Sequence, residues 1–407
     1  MDQAAARGAL GARPCSAAPS FAYVPALDGM RAVSVGLVMV SHFGLGAIVP
    51  GGLGVTVFFF ISGFLITRQL LAERAGSGRI AIGAFYVRRA LRLYPALLTM
   101  VAIGGGAFAL LGGTITLGQL LASLFYYNNY FFLLEGYRTG LADTFHPYAI
   151  LWSLAVEEHY YLLFPLTVAL FAGNRRGFAA GLCAAIVAVA LWRWHVAAAC
   201  HTDTLACLGG NPEDRVVRAT DTRVDSILFG AVLATALDTA GAPRLLRVLR
   251  DPRAFAVGCG LLLASLAIRA PMFRDSIRFS VQGVALLLAV GGVLFAEPLA
   301  ALRGLLSLRP AVLMGRWSYS LYLWHWIVLV CASALLPQTV GQPVTSGVFG
   351  RAWFAEVAPV LLLLSFAAAA LSYYAIEQPM VRLRRRFGAH AVADRAEAGE
   401  TLAPVGV

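Results

Sequence analysis

Long apolar stretches separated by short arginine-rich segments set the pattern of this chain. Stretches near 27–48, 51–71, 94–112, 150–171, 178–198, 222–239, 254–271, 280–298, 312–336 and 355–376 are each long enough for a helix to cross a bilayer. They predict an all-α fold, a polytopic transmembrane helical bundle of about ten spans. A further stretch near 117–134 carries Asn128 and Asn129 among aromatics in SLFYYNNYFFLL. Polar groups at membrane depth are tolerated where they line a protein cavity, so a re-entrant or interfacial helix is expected there.

Arginine placement sets the expected topology. Arg68, Arg74, Arg79, Arg88, Arg89 and Arg92 follow the second stretch, Arg244, Arg247, Arg250 and Arg253 the sixth, and Arg382 to Arg386 the last. Positive residues gather on the cytoplasmic side. All three clusters fall there only if 117–134 does not cross, which also makes both termini cytoplasmic. Residues 1–20 read as a cytoplasmic tail ahead of a retained signal anchor, 21–382 as the membrane domain, and 383–407 as a polar cytoplasmic tail. The sizeable external loop is 200–221, and no appended globular domain is expected.

Composition narrows the class. Hydrophobic residues make up 59% and charged residues 13% of the 407 positions, with a mean hydropathy of +0.74, which excludes a soluble domain. The net charge of +11 comes from arginine alone, distributed between apolar segments, so it reflects topology and implies no nucleic-acid partner. Cys183, Cys259 and Cys331 lie in apolar segments as packing residues. Cys200 and Cys207 flank the external loop and could close a disulfide in an oxidising compartment.

The candidate chemistry lies where polar groups enter apolar segments, because such groups are costly in a bilayer and usually functional. Arg31 and His42 are eleven residues apart, close to three helical turns, so they share a face about 16 Å apart along the axis. A neutral imidazole there can take a proton from an alcohol; the plainer alternative is an anchor and a helix-to-helix hydrogen bond. Arg88, Arg89 and Arg92 precede the third stretch, and guanidinium forks suit phosphates, although headgroup anchoring is the alternative. Glu157, Glu158 and His159 follow one another, and of the two carboxylates Glu157 is expected to face His42 and to orient it or stabilise its protonated form. A simple pairing of Glu157 with Arg223 is the alternative. Arg223 and Asp225 open the sixth stretch, where they contact a polar acceptor or pair with each other. Ser318, Tyr322 and His325 share one span, with Tyr322 and His325 on one face. Trp324 and Trp326 read as packing or interfacial residues.

In this light the sequence resembles the membrane acyltransferase-3 family, integral-membrane O-acyltransferases acting on glycans, over about 21–382. The residues carrying the resemblance are Asp28-Gly29, Arg31 with His42, GGLGVTVFFFISGFLIT, RRALRLYP, LWSLAVEEHYYL, RVDSILFG, SYSLYLWHW and Glu377-Gln378-Pro379. It implies an acyl-CoA co-substrate from the cytoplasm, most often acetyl-CoA, and a glycan or glycosylated acceptor, with location in the bacterial cytoplasmic (inner) membrane. Arg31 and His42 become the essential pair. Arg88, Arg89, Arg92, Tyr322 and His325 are assigned to the donor, and Asp28, Arg223 and Asp225 to the acceptor. No metal and no bound cofactor are expected. The chain departs from the family pattern at Thr56, where an acidic residue is frequent, and at His159 and Tyr160, which stand for Gln and Phe.

The expected reaction has His42 as general base on an acceptor hydroxyl, while Arg31 holds the donor or stabilises negative charge on the carbonyl oxygen. An acyl-histidine route is the variant. The rival from another class is a proton-coupled transporter or flippase, with His42, Glu157 and Arg223 as the relay.

Overall fold

The computed structural model describes residues 23–139, 146–203, 207–208, 212–335 and 357–384, and every regular element among them is helical. The tail expected at 1–20 and all of the tail expected at 383–407 except Leu383 and Arg384 fall outside the described residues.

The helices are α1 (Pro25–Val40), α2 (Gly51–Ser77), α3 (Ile82–Leu110), α4 (Leu117–Leu124), α5 (Asn128–Thr139), α6 (Trp152–Phe171), α7 (Arg175–Cys200), α8 (Pro212–Arg218), α9 (Thr220–Arg223), α10 (Asp225–Leu237), α11 (Ala242–Arg250) and α12 (Pro252–Ala267). They continue with α13 (Arg278–Phe295), α14 (Ala300–Leu306), α15 (Arg309–Arg316), α16 (Ser318–Leu335), α17 (Ala358–Ser372) and α18 (Gln378–Arg384). Three π-turns extend this framework, Ser41–Leu45 after α1, Phe273–Ile277 before α13 and Tyr373–Glu377 after α17.

Length and apolarity sufficient to cross a membrane are met by α2, α3, α7, Phe273–Phe295, α16 and Ala358–Leu383. The pair α10 and α11, bent by 114°, makes a seventh if taken as one span. Six or seven is thus the number supported among the described residues, against about ten expected. The difference lies in interrupted helices. After 16 residues α1 gives way to its π-turn, α10 has 13 residues, and α12 has 16. The 20-residue α6 carries Glu157, Glu158 and His159 in an otherwise apolar stretch.

The 117–134 stretch is two short helices, of 8 and 12 residues, broken at Phe125 to Tyr127, where Tyr126 has φ 56°. Neither is long enough to cross. A capping box starts α4: the Thr116 hydroxyl accepts from the Gln119 amide (3.2 Å), and the Gln119 side chain accepts from the Thr116 amide (2.8 Å). The two asparagines are spent on tying α5 down. Asn128 donates to the Tyr148 carbonyl (2.9 Å), and Asn129 to the Arg218 carbonyl (3.2 Å) and the Thr220 hydroxyl (3.0 Å).

At the centre α2 and α10 cross backbone to backbone. A Cβ on Gly63 would stand 1.9 Å from the Ile227 carbonyl oxygen, and one on Gly230 would stand 1.9 Å from that of Phe60. Small residues at helix crossings permit such an approach, which fixes where the polar side chains of both helices emerge.

Candidate functional site

His42 lies where α1 ends. Its π-turn, closed by Gly44 at φ 120°, turns the chain toward α2, so the imidazole projects from the helix end instead of continuing the α1 surface. His42 Nδ1 lies 3.0 Å from His325 Nε2, with the two rings nearly coplanar (interplanar angle 7°). The edge of Trp326 closes the other side, 5.1 Å away between ring centroids.

The hydrogen bonds determine the tautomers. His325 Nδ1 lies 2.8 Å from the Leu321 carbonyl, which can only accept, so the His325 proton sits on Nδ1. For two neutral rings His325 Nε2 is then the acceptor and His42 Nδ1 the donor, leaving the lone pair on His42 Nε2. His325 is fully buried and His42 half-buried, so an inaccessible ring orients a partly accessible one.

One turn before His325, the Tyr322 hydroxyl donates to the Ile150 carbonyl (2.7 Å) and accepts from Ser153 (2.7 Å). One turn further along α6, Glu157 accepts from the hydroxyls of Ser62 and Tyr161, the latter at 2.9 Å. Stacking of the Arg89 guanidinium on Tyr161, 4.6 Å from the ring centroid, completes a polar column through α16, α6, α2 and α3. Glu157 therefore belongs to the middle of the column, and the group on His42 is an imidazole.

The arginines expected to act together lie in different settings. Arg88 bonds Glu73 (3.1 Å), whose other oxygen accepts from the Ala81 amide and holds the turn between α2 and α3. Arg89 faces the column, and Arg92 lies one turn further along α3. Arg31 is 3.8 Å from Asp28 and 5.6 Å from the Phe58 ring centroid. The Tyr23 hydroxyl, also bonded by Arg316 (3.4 Å), donates to Asp28 (2.5 Å). Burial, with the charge of Asp28 next, pushes that phenol up to about 12.

Asp28 therefore sits at the starting end of α1, whereas Arg223 bonds Thr56 (3.1 Å) near the start of α2, at the opposite end of the α1–α2 hairpin. The three residues read together as acceptor contacts are not brought together. Nor do Arg223 and Asp225 bond each other. Asp225 pairs with Arg193 of α7 (2.8 Å), and that fully buried arginine also bonds the carbonyls of Ser276 (2.8 Å) and Thr222 (2.7 Å) and the Ser280 hydroxyl (2.6 Å). Arg193 had a sequence signal, a lone charge in the 178–198 apolar stretch. Ser62 and Tyr161 had none.

The segment expected as the external loop ends at Asp221, which is bonded by Arg215 through both oxygens, by Trp192 (2.6 Å) and by Tyr130 (2.8 Å). Burial opposes ionisation of Asp221, but the Arg215, Trp192 and Tyr130 bonds outweigh it and hold the carboxyl below its usual range. Cys200 and Cys207 are joined as a disulfide. Among the described residues no group of three or more His, Cys, Asp or Glu side chains is placed to hold a metal ion.

The sequence profile of the acyltransferase-3 family, described as an acyltransferase domain, matches residues 24–377. The chain belongs to this family. Among curated acyltransferase-3 relatives, "Putative peptidoglycan O-acetyltransferase YrhL" of Bacillus subtilis (strain 168) is 30% identical over 374 residues, covering 88% of this chain and 55% of the relative. "O-acetyltransferase OatA" of Staphylococcus aureus (strain NCTC 8325 / PS 47) is 28% identical over 376 residues, covering 88% of this chain and 57% of the relative. The chain thus spans about half the length of these family members. No solved structure matches it.

Proposed function

We propose that this protein is a membrane O-acyltransferase that moves an acetyl group from acetyl-CoA to a glycan hydroxyl, peptidoglycan being the acceptor named for one of its relatives. The observation that carries the reading is the hydrogen-bond chain from His42 Nδ1 through His325 to the Leu321 carbonyl, which leaves His42 Nε2 with a lone pair. His42 Nε2 takes the proton from the acceptor hydroxyl as its oxygen attacks the thioester carbonyl carbon. The tetrahedral intermediate collapses with cleavage of the carbon–sulfur bond, and the same nitrogen returns the proton to the departing CoA thiolate.

Arg31 has two expected roles, and geometry favours one. About 16 Å of helix rise separates it from His42, so its guanidinium reaches a distant part of the donor and not the carbonyl beside the base. Arg89 and Arg92 supply cationic contacts for CoA phosphates from the end of the column nearest the cytoplasmic arginine cluster. The termini are assigned to the cytoplasm of the bacterial inner membrane on the arginine bias.

The test is transfer of radiolabelled acetyl groups from acetyl-CoA to peptidoglycan fragments by the purified protein in nanodiscs. Transfer that His42→Ala abolishes while CoA binding persists supports the reading. Solute uptake that follows a proton gradient, with no CoA binding, would establish a transporter instead.

A further inference from the structure

The outer end of the bundle holds more buried positive charge than its carboxylates neutralise. Four arginines, Arg193, Arg223, Arg274 and Arg278, share a layer with three carboxylates, Asp225, Asp275 and Glu213. Arg193 takes Asp225 (2.8 Å), Arg274 takes Glu213 (3.2 Å), and Asp275 faces His201 (3.4 Å). Among the described residues Arg223 and Arg278 have no carboxylate at hydrogen-bonding distance.

These two guanidiniums share a feature. Both lie over the Phe279 ring, at 4.1 and 5.0 Å from its centroid, and in both the Nε hydrogen is buried without an acceptor. Arg223 is 1% exposed, and its bonds go to two neutral hydroxyls, Thr56 (3.1 Å) and Ser226 (3.2 Å). A buried cation without a carboxylate in contact is costly, and Asp225, the negative charge nearest to Arg223 in effect, is bonded to Arg193. The adjoining loop residues outside the description, 204–206 and 209–211, include no acidic residue that could supply one.

Their place connects the pair to the reaction. The Arg223 guanidinium lies over Phe59, which packs edge-on against Trp152 (6.4 Å), and Trp152 precedes the Ser153 that bonds Tyr322. His42 closes α1 and Thr56 stands in the second turn of α2, so the pair and the base occupy the same end of the α1–α2 hairpin.

We propose that Arg223 and Arg278 form a subsite for an anionic oxygen group, carboxylate or phosphate, on the acceptor, so that the preferred acceptor is a negatively charged glycan. The proposal rests on the acyl-transfer reading and specifies its substrate. Two guanidiniums over one ring, each with an N–H that lacks an acceptor, suit a planar carboxylate or a phosphate equally.

The test uses matched probes, trigalacturonate and galactotriose, which differ by a carboxylate in place of a hydroxymethyl group on each ring, and galactose 6-phosphate as the phosphate arm. Binding to the full chain in phosphatidylcholine nanodiscs is measured for wild type, Arg278→Gln and Arg278→Lys. Among the described residues the Arg278 guanidinium makes no hydrogen bond, so its replacement tests the subsite without removing a hydrogen-bonded tie; Arg223→Met is read alongside for melting temperature. The expected result is that wild type prefers the anionic probes at least tenfold, that Arg278→Gln loses this preference without changing galactotriose binding, and that Arg278→Lys restores part of it. Equal binding of charged and neutral probes, or a preference that survives Arg278→Gln, overturns the proposal. Loss of the preference when phosphatidylglycerol replaces phosphatidylcholine would assign the site to a lipid headgroup and overturn it as well. Because binding needs no donor, an intact preference without acetyl transfer would remove the acyltransferase reading and leave the subsite standing.

Discussion

Two buried polar centres, His42–His325 and Arg193–Asp225, are built on opposite principles. The arginine forms an ion pair and uses three further N–H groups on two carbonyls and a hydroxyl. The imidazole pair is uncharged, and its chain of donors runs one way, leaving one ring nitrogen unspent. Four committed N–H groups make the first a joint between α7, α10 and the turn before α13. In the proposed reaction the unspent lone pair would make the second a reagent.

Separate readouts break this contrast. His42→Ala is expected to lower acetyl transfer about 10³-fold, within the range for loss of a general base, while the melting temperature in detergent stays near that of wild type. Arg193→Gln should do the reverse, destabilising the fold by about 3–5 kcal/mol because Asp225 is left as an uncompensated buried charge. Thermal unfolding followed by size-exclusion chromatography checks it, and an unchanged transition would make Arg193 dispensable to the joint.

Smaller effects sharpen the comparison. His325→Phe removes the acceptor that sets the His42 tautomer, and kcat should fall on the order of 10²-fold, with His325→Gln recovering part because its amide oxygen can accept from Nδ1. Equal rates for the two variants would mean that the ring only fills space. Arg31→Ala should raise the KM for acetyl-CoA about tenfold with little change in kcat, the pattern of lost uniform binding. The smallest effect concerns pH. Asp221 has a lowered folded-state pKa, so its contribution is complete above the unfolded carboxylate value of about 4 and disappears as pH falls through the folded value. Asp221→Asn should therefore remove stability at neutral pH and leave a smaller difference from wild type at the acid end of a melting series.

The sequence made the costly residues visible because a charge or imidazole in an apolar stretch stands out; their partners were not visible. His42 was identified from its stripe with Arg31, yet its hydrogen-bond partner lies 283 positions away, and periodicity within α1 carries no information about α16. The same limit separated Asp28 from Arg223, since position along a hairpin decides which end a residue occupies. It also hid the partner of Asp225, because Arg193 and Arg223 are equally plausible until α7 is packed. That 117–134 is not one spanning helix was legible because Asn128 and Asn129 are costly on a lipid-facing span. The helix count was not, because π-turns and bends shorten regular helices without changing apolar composition.

The 283-residue separation between His42 and His325 also bears on biogenesis. During synthesis α1 enters the membrane long before α16 exists, and until then nothing holds the His42 ring in one orientation or fixes its proton. The nascent chain therefore carries an undirected imidazole that has no advantage in attacking a thioester. Docking of α16 supplies the partner that orients the ring, so the centre proposed for acyl transfer would mature only when nearly the whole bundle has been assembled around it.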